Sequence, residues 1–198
     1  NFRLKDVDWA YKKFGNLKKL DNFSHEIILG YAYLLLSEKK FLQAFKLFDA
    51  RLKIKSFPNR NHNHNNIIEK LDSKKNLNKN NNILIVREQG IGDEILFSSM
   101  YKEVINCYSN VSIECDERLI KIFKRSFQKD IFFPFGYFSS SKAKIKKFDN
   151  VLYSGSLTKY LRKNENSFNN DPYLKSLSSL DKKINTRFKI FEGTKKIG

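Results

Sequence analysis

The sequence predicts an α + α/β chain, with helical hairpins first and a parallel-sheet domain after them. Three observations carry that expectation. Residues 7–54 contain a repeat of period 34, a polar stretch follows it, and from residue 82 onward short apolar runs alternate with amphipathic ones. With 198 residues, 40% of them hydrophobic and 18 of them Phe, the chain has the means to bury a real core.

The repeat is seen when "VDWAYKKFGNLKKL" (7–20) is laid over "FLQAFKLFDARLKI" (41–54). Ala10 falls on Ala44, Tyr11 on Phe45, Lys12 on Lys46, Phe14 on Phe48 and Leu20 on Ile54. A period of 34 is that of the tetratricopeptide repeat, a helix–turn–helix unit. The first helix of the complete unit, about 25–36, offers Ile28, Tyr31, Ala32 and Leu35 as its packing stripe. In the second, Ala44 permits close approach, Phe41 and Phe48 share a side, and Pro58 stands where a stop belongs. A helical hairpin with accidental similarity is the plainer alternative. Residues 1–58 therefore read as helical repeats, a scaffold or partner-binding surface, with further repeats expected upstream.

Residues 59–81 are polar and read as a linker; His62 and His64 have no acid or thiol pattern around them, so no metal is expected there. Strand one is expected at Asn82–Val86, and a helix from about Glu94 to Tyr108 with Ile95, Met100 and Val104 on its buried side. "VSIEC" (111–115) gives a second strand and "ERLIKIFKRSF" a helix to Phe127. "IFF" (131–133) is a third strand, 139–147 an exposed Ser/Lys-rich loop, and "NVLYSG" (150–155) a fourth strand. A short helix over Leu157–Arg162, a loop ended by Pro172 and a mostly helical 174–188 complete a Rossmann-like domain at 82–192. Residues 193–198 look like the start of a further domain, and the chain, which opens on Asn1, is expected to be a fragment cut at both ends.

A net charge of +17 invites nucleic acid as a partner, yet Lys is scattered among Asn, Ile and Phe throughout the chain. No RNA-recognition signature or zinc-finger spacing accompanies it, so no nucleic-acid partner is expected. An anionic substrate, or peripheral contact with an anionic membrane face, fits the charge better. No apolar run approaches the roughly 18–20 residues needed to cross a bilayer. Cys107, in a predicted helix, and Cys115, at a strand end, form no CxxC and read as small buried hydrophobes in a reducing, cytoplasmic setting.

The turn "REQGIGDE" (87–94) is the candidate site. A strand that runs through a glycine turn into a helix aims backbone N–H groups outward at the positive end of a helix dipole. Gly90 and Gly92 permit tight or positive-φ backbone and leave room for a ligand, and Asp93 follows at the helix start. A dinucleotide fingerprint would need glycine where Ile95 stands, although Asp116 could imitate the ribose-binding acid. A P-loop is excluded because no Gly-Lys-Ser/Thr is present. Asp93 could equally serve only to cap its helix.

"ILIVREQGIGDEILFSS", "VSIECDERLIKIFKRSF", "YSGSLTKYLRKNENSF" and "PYLK", with "SEKKFLQAFKLFDARLK" before them, together resemble one family. They are similar to tetratricopeptide-repeat proteins whose C-terminal part is a family 9-type glycosyltransferase, relatives of the lipopolysaccharide heptosyltransferases. The likeness spans nearly the whole chain. It implies a GT-B architecture, of which this chain holds the N-terminal, acceptor-side domain. It also implies that Asp93 is the base that takes the acceptor hydroxyl proton. Gln89, Gly90, Ile91 and Gly92 would shape the substrate site, and Lys159 and Arg162 would face the cleft and hold an anionic group. Helix-terminus N–H groups and basic side chains would meet the leaving nucleoside diphosphate, with a nucleotide sugar as substrate and neither metal nor other cofactor. The acceptor would be a glycan or a lipid-linked sugar, and the setting the cytoplasm or the inner face of its membrane. The donor-binding half is expected after Gly198, and without it this piece is not expected to turn over. A non-catalytic interaction scaffold, its repeats binding a protein partner, is the alternative.

Overall fold

The computed structural model describes residues 24–54, 81–138 and 148–180, together with positions 184 and 186. The first repeat copy at 7–20, His62 and His64, the loop at 139–147 and the segment 193–198 lie outside the described residues, as does all but the last residue of the 59–81 stretch.

Two helices, α1 (His25–Ser37) and α2 (Phe41–Phe48), form a hairpin that ends in a 3-10 segment, Asp49–Lys53. Ala32 and Ala44 are fully buried, as the close crossing of two helices requires, and Phe45 and Phe48 face inward from α2. Of the stripe expected on α1, Ala32 and Leu35 are buried while Ile28 and Tyr31 are half-covered; Leu29 and Leu34 complete the buried face.

The second part is a four-stranded, wholly parallel sheet in the order β3-β2-β1-β4. Its strands are β1 (Asn82–Val86), β2 (Asn110–Cys115), β3 (Phe132–Pro134) and β4 (Asn150–Tyr153). The mixed α/β class with a Rossmann-like parallel sheet is therefore observed. β1 is apolar from Ile83 to Val86 because both of its faces are covered, and β2 is likewise buried from Val111 to Cys115, with Ser112 and Glu114 enclosed on one face. Ile83 and Ile85 enter one core with Ile113, Cys115 and Phe132, while Leu84 and Val86 enter a smaller one with Val151 and Tyr153. The larger core also takes Leu29, Phe45 and Phe48, so the hairpin and the sheet share one apolar interior.

Between β1 and β2 the sequence suggests one helix, and the structure has two, α3 (Ile91–Ser98) and α4 (Tyr101–Cys107). Ser98 and Ser99 explain the break. Their hydroxyls donate back to the carbonyls of Ile95 and Leu96, both at 2.7 Å. The N–H groups of Ser99 and Met100 reach only three residues back, tightening the turn. The redirected α4 leaves Cys107 exposed, contrary to expectation, whereas Cys115 at the end of β2 is buried. Helix α5 (Glu117–Phe127) crosses to β3, and Tyr101, Phe123, Phe127 and Phe132 form a ring cluster with centroids 5.5–6.3 Å apart.

After β3 the chain returns to the far side of β1 as β4, which ends at Tyr153, earlier than expected. A 3-10 segment, Ser154–Leu157, takes over from it and leads into the short α6 (Thr158–Leu161). The strand order thus reverses between β1 and β4, and the crevice beyond their carboxyl ends is where open α/β sheets take ligands. Among the described residues no helix is long and apolar enough to cross a membrane.

Candidate functional site

The turn after β1 comprises Arg87, Glu88, Gln89 and Gly90, and α3 begins at Ile91. Left-handed backbone is found at Gln89, with φ 61°, and at neither glycine of the turn. Gly90 is the extended N-cap, with φ −89° and ψ 173°. Asp93 lies in the first turn of α3, and its Oδ2 accepts the Gly90 N–H at 3.1 Å. That is the acidic half of a capping box. Among the described residues Oδ1 makes no hydrogen bond. A side chain at Gly92 would meet open space, and one at Gly90 would meet only Asp93 Oδ2 at 3.6 Å. Among the described residues the turn is thus open on its outer side, and no packing contact there calls for its glycines.

Gln89 adds a buried amide, Nε2, without a partner among the described residues. Ile91 is half-buried against the main core. The half-exposed phenol of Tyr33, on α1, sits within electrostatic reach of Asp93, Arg51 and Glu88; its pKa is raised, chiefly by burial. The structure therefore brings Gln89, Gly90, Ile91, Gly92 and Asp93 together on one turn.

It does not bring Arg162 there. Arg162 is 3% exposed, and its Nη2 donates to Glu103 Oε1 at 2.6 Å and lies 3.5 Å from the Ser99 carbonyl. Ser99 closes the far end of α3, about 12 Å from the glycine turn at 1.5 Å per residue. Arg162 thus clamps α6 to the α3–α4 junction. Lys159 sits on the seam between hairpin and sheet, its Nζ 3.8 Å from Asp49 Oδ2.

Sequence reading missed the crevice between β1 and β4, which is filled from within. Arg51, from the 3-10 segment of the hairpin, is fully buried and enters it. Its Nε and Nη2 grip Glu88 at 2.9 and 2.7 Å, in the forked geometry that suits a carboxylate. The remaining donors reach the Phe48 carbonyl, Asp49 Oδ1 and Ser156 Oγ at 3.0, 2.9 and 3.1 Å. All five N–H groups that a guanidinium offers are therefore matched. Glu88 Oε1 also accepts the Gly155 N–H at 2.6 Å, and Ser156 Oγ donates to Asp49 at 2.7 Å. Gly155 is needed here, because a Cβ would lie 2.9 Å from Arg51 Nη2, 3.0 Å from Phe97 Cζ and closer still to Glu88 Oε1. The repeat carried one signal of this: Arg51 stands where the first copy has Leu17.

A second ionic group flanks the turn. Glu94 is fully buried; its Oε2 accepts the Asp116 N–H at 2.8 Å, and its Oε1 lies 2.6 Å from Arg87 Nε. Burial raises the Glu94 pKa against the opposing pull of that N–H and of Arg87. Asp116 caps α5 through the Arg118 N–H at 3.0 Å and takes the Arg118 guanidinium at 2.8 Å. Those bonds hold its carboxyl well below the ordinary range. Its side chain is thus engaged by its own helix and by arginine.

No family model, curated protein or solved structure matches this chain. The chemistry of the turn is therefore argued from its own residues.

Proposed function

We propose that the chain is the acceptor-side part of a sugar transferase, a tetratricopeptide-type hairpin joined to the first domain of a two-lobed GT-B enzyme. The observation that carries this is the turn at the sheet's carboxyl edge, where Asp93 keeps one oxygen unbonded among the described residues and a side chain at Gly92 would meet open space. Glycine in a helix costs up to about 1 kcal/mol relative to alanine. Among the described residues nothing requires it at Gly92, and the approach of a ligand supplies a reason.

In the transfer, Asp93 takes the proton of an acceptor hydroxyl while that oxygen bonds to the anomeric carbon of a nucleotide sugar. The bond from that carbon to the nucleoside diphosphate breaks, and the diphosphate leaves with the electron pair. Gln89 would turn outward its buried amide, which has no partner among the described residues, to meet a sugar hydroxyl, with Gly90, Ile91 and Gly92 as the floor. Lys159, its side chain 34% exposed, would meet an anionic group on the acceptor. The acceptor class is a glycan or lipid-linked sugar, and the +17 charge suits work at the anionic inner face of a membrane.

The test is sugar transfer by the full-length protein, with a panel of nucleotide sugars. Asp93→Ala should lower the rate by roughly 10²–10⁴-fold, the ordinary contribution of a positioned base. A folded variant that transfers sugar at the parent rate contradicts the assignment. A second reading, a non-catalytic interaction scaffold, is favoured by the Arg51–Glu88 plug in the crevice and by the capping bond of Asp93. Absence of binding heat with every nucleotide sugar would select it.

A further inference from the structure

We infer that Arg51 is a positioning residue for the Gln89–Asp93 turn: the helical hairpin sets the geometry of the candidate site through Glu88. The inference rests on that turn being the functional site, and it concerns what holds the turn in place.

The chain of contacts is short. Glu88 is 1% exposed and directly precedes Gln89, whose φ of 61° is an unfavourable backbone state for a residue with a side chain. Such a state persists where its neighbours over-determine it. On the amino side, Glu88 is fixed by two bonds from Arg51 and one from the Gly155 N–H. On the carboxyl side, Gly90 is fixed by its N–H bond to Asp93. Gln89 is thus held between two anchors. The inner one is attached to the hairpin, because Arg51 is itself tied to the Phe48 carbonyl and packs 4.2 Å from the centroid of that ring. Of the described side chains, Arg51 reaches Glu88 from α2's own 3-10 extension, so a shift of the hairpin moves the anchor directly.

The arrangement also gives the buried pair a purpose beyond stability. A buried ion pair is often no more stabilising than apolar residues of the same shape. Here its forked geometry fixes an orientation, which an apolar contact would leave loose.

The test is amide hydrogen exchange on the full chain, comparing the two bonded amides of the turn, Gly90 and Glu94, with Ile113 in β2. Two variants are used. Arg51→Lys keeps the charge but loses the fork. The double variant Arg51→Met with Glu88→Gln removes both charges and keeps an acceptor for the Gly155 N–H. In each, exchange at Gly90 and Glu94 should rise by about tenfold, in line with the loss of one hydrogen bond to a charged group, while Ile113 stays as in the parent. A loop unchanged in the folded variants, or a rise shared equally by Ile113, overturns the inference. Should the double variant fail to fold, Arg51→Lys alone decides by the same two outcomes. The readout is exchange and not transfer. A parent protein inactive on every sugar would therefore refute the proposed function and leave this result standing on its own.

Discussion

Replacing Gly155 by alanine adds one methyl group at the tightest point of the molecule. Gly155 does not have a positive φ, so the cost comes from contact and not from backbone strain. The new Cβ would lie 2.9 Å from Arg51 Nη2 and 3.0 Å from Phe97 Cζ, with Glu88 Oε1 nearer still. None of the three has room to retreat, since Arg51 and Glu88 are fully or almost fully buried and Phe97 is 5% exposed. Overpacking of this kind costs about 1–3 kcal/mol. If Glu88 moves, it also gives up the 2.6 Å bond from the Gly155 N–H, worth about 1.5–3 kcal/mol for a charged acceptor. A loss of about 3 kcal/mol is the expected sum after partial relaxation. With a urea slope of about 2 kcal/mol per M, the unfolding midpoint should fall by about 1.5 M. The same change made in an Arg51→Ala/Glu88→Ala background should cost far less, because two of the three obstacles are gone. A midpoint within about 0.2 M of the parent, or an equal cost in both backgrounds, would refute the reasoning that Gly155 is fixed by the buried pair.

Three further outcomes are expected from the described contacts. Burial raises the Glu94 pKa, so the native state holds that proton more tightly than the unfolded chain does; the contribution of Glu94 is fully present below its unfolded value and is lost as pH rises through the raised one. The stability of the parent minus that of Glu94→Gln should therefore shrink in urea titrations as pH rises from the ordinary carboxylate range, and a growing difference would show that Arg87 outweighs burial. Arg162→Met should cost about 1–2 kcal/mol, because its partner Glu103 is 42% exposed and regains water, and it should leave sugar transfer per folded molecule unchanged. Cys115 is buried and its thiol is pushed up to about 12, so a thiol reagent should modify Cys107 alone in the native chain and both cysteines in denaturant.

The sheet was legible because "ILIV" is an apolar run of the kind a doubly covered strand carries and "VSIEC" alternates apolar with polar residues at the strand period, and β1 and β2 lie where those stretches lie. The hairpin was legible through Ala32 and Ala44, whose small size matters only where helices cross. The break between α3 and α4 was not, because serine is tolerated in helices until its hydroxyl turns back on the carbonyls, and periodicity carries no trace of that choice. The turn was legible as a local pattern, because its glycines and Asp93 are near neighbours in the chain and the bond from Gly90 to Asp93 joins residues three apart. Arg51, Glu88 and Gly155 were not, since their pairing joins residues 37 and 67 positions apart and each is ordinary in its own segment. Lys159 and Arg162 show the same limit from the other side. A basic pair on a short helix suggests a cleft, yet one member is drawn to Asp49 and the other is buried against Glu103.

The central claim is that the Asp93 carboxylate accepts a proton, and Asp93→Asn separates that duty from capping, because the amide oxygen can still take the Gly90 N–H. Sugar transfer by the full-length protein carrying that substitution is the most direct measurement. A fall of roughly 10²–10⁴-fold is expected, with the urea midpoint nearly unchanged. Transfer at the parent rate by a folded Asp93→Asn variant would contradict it.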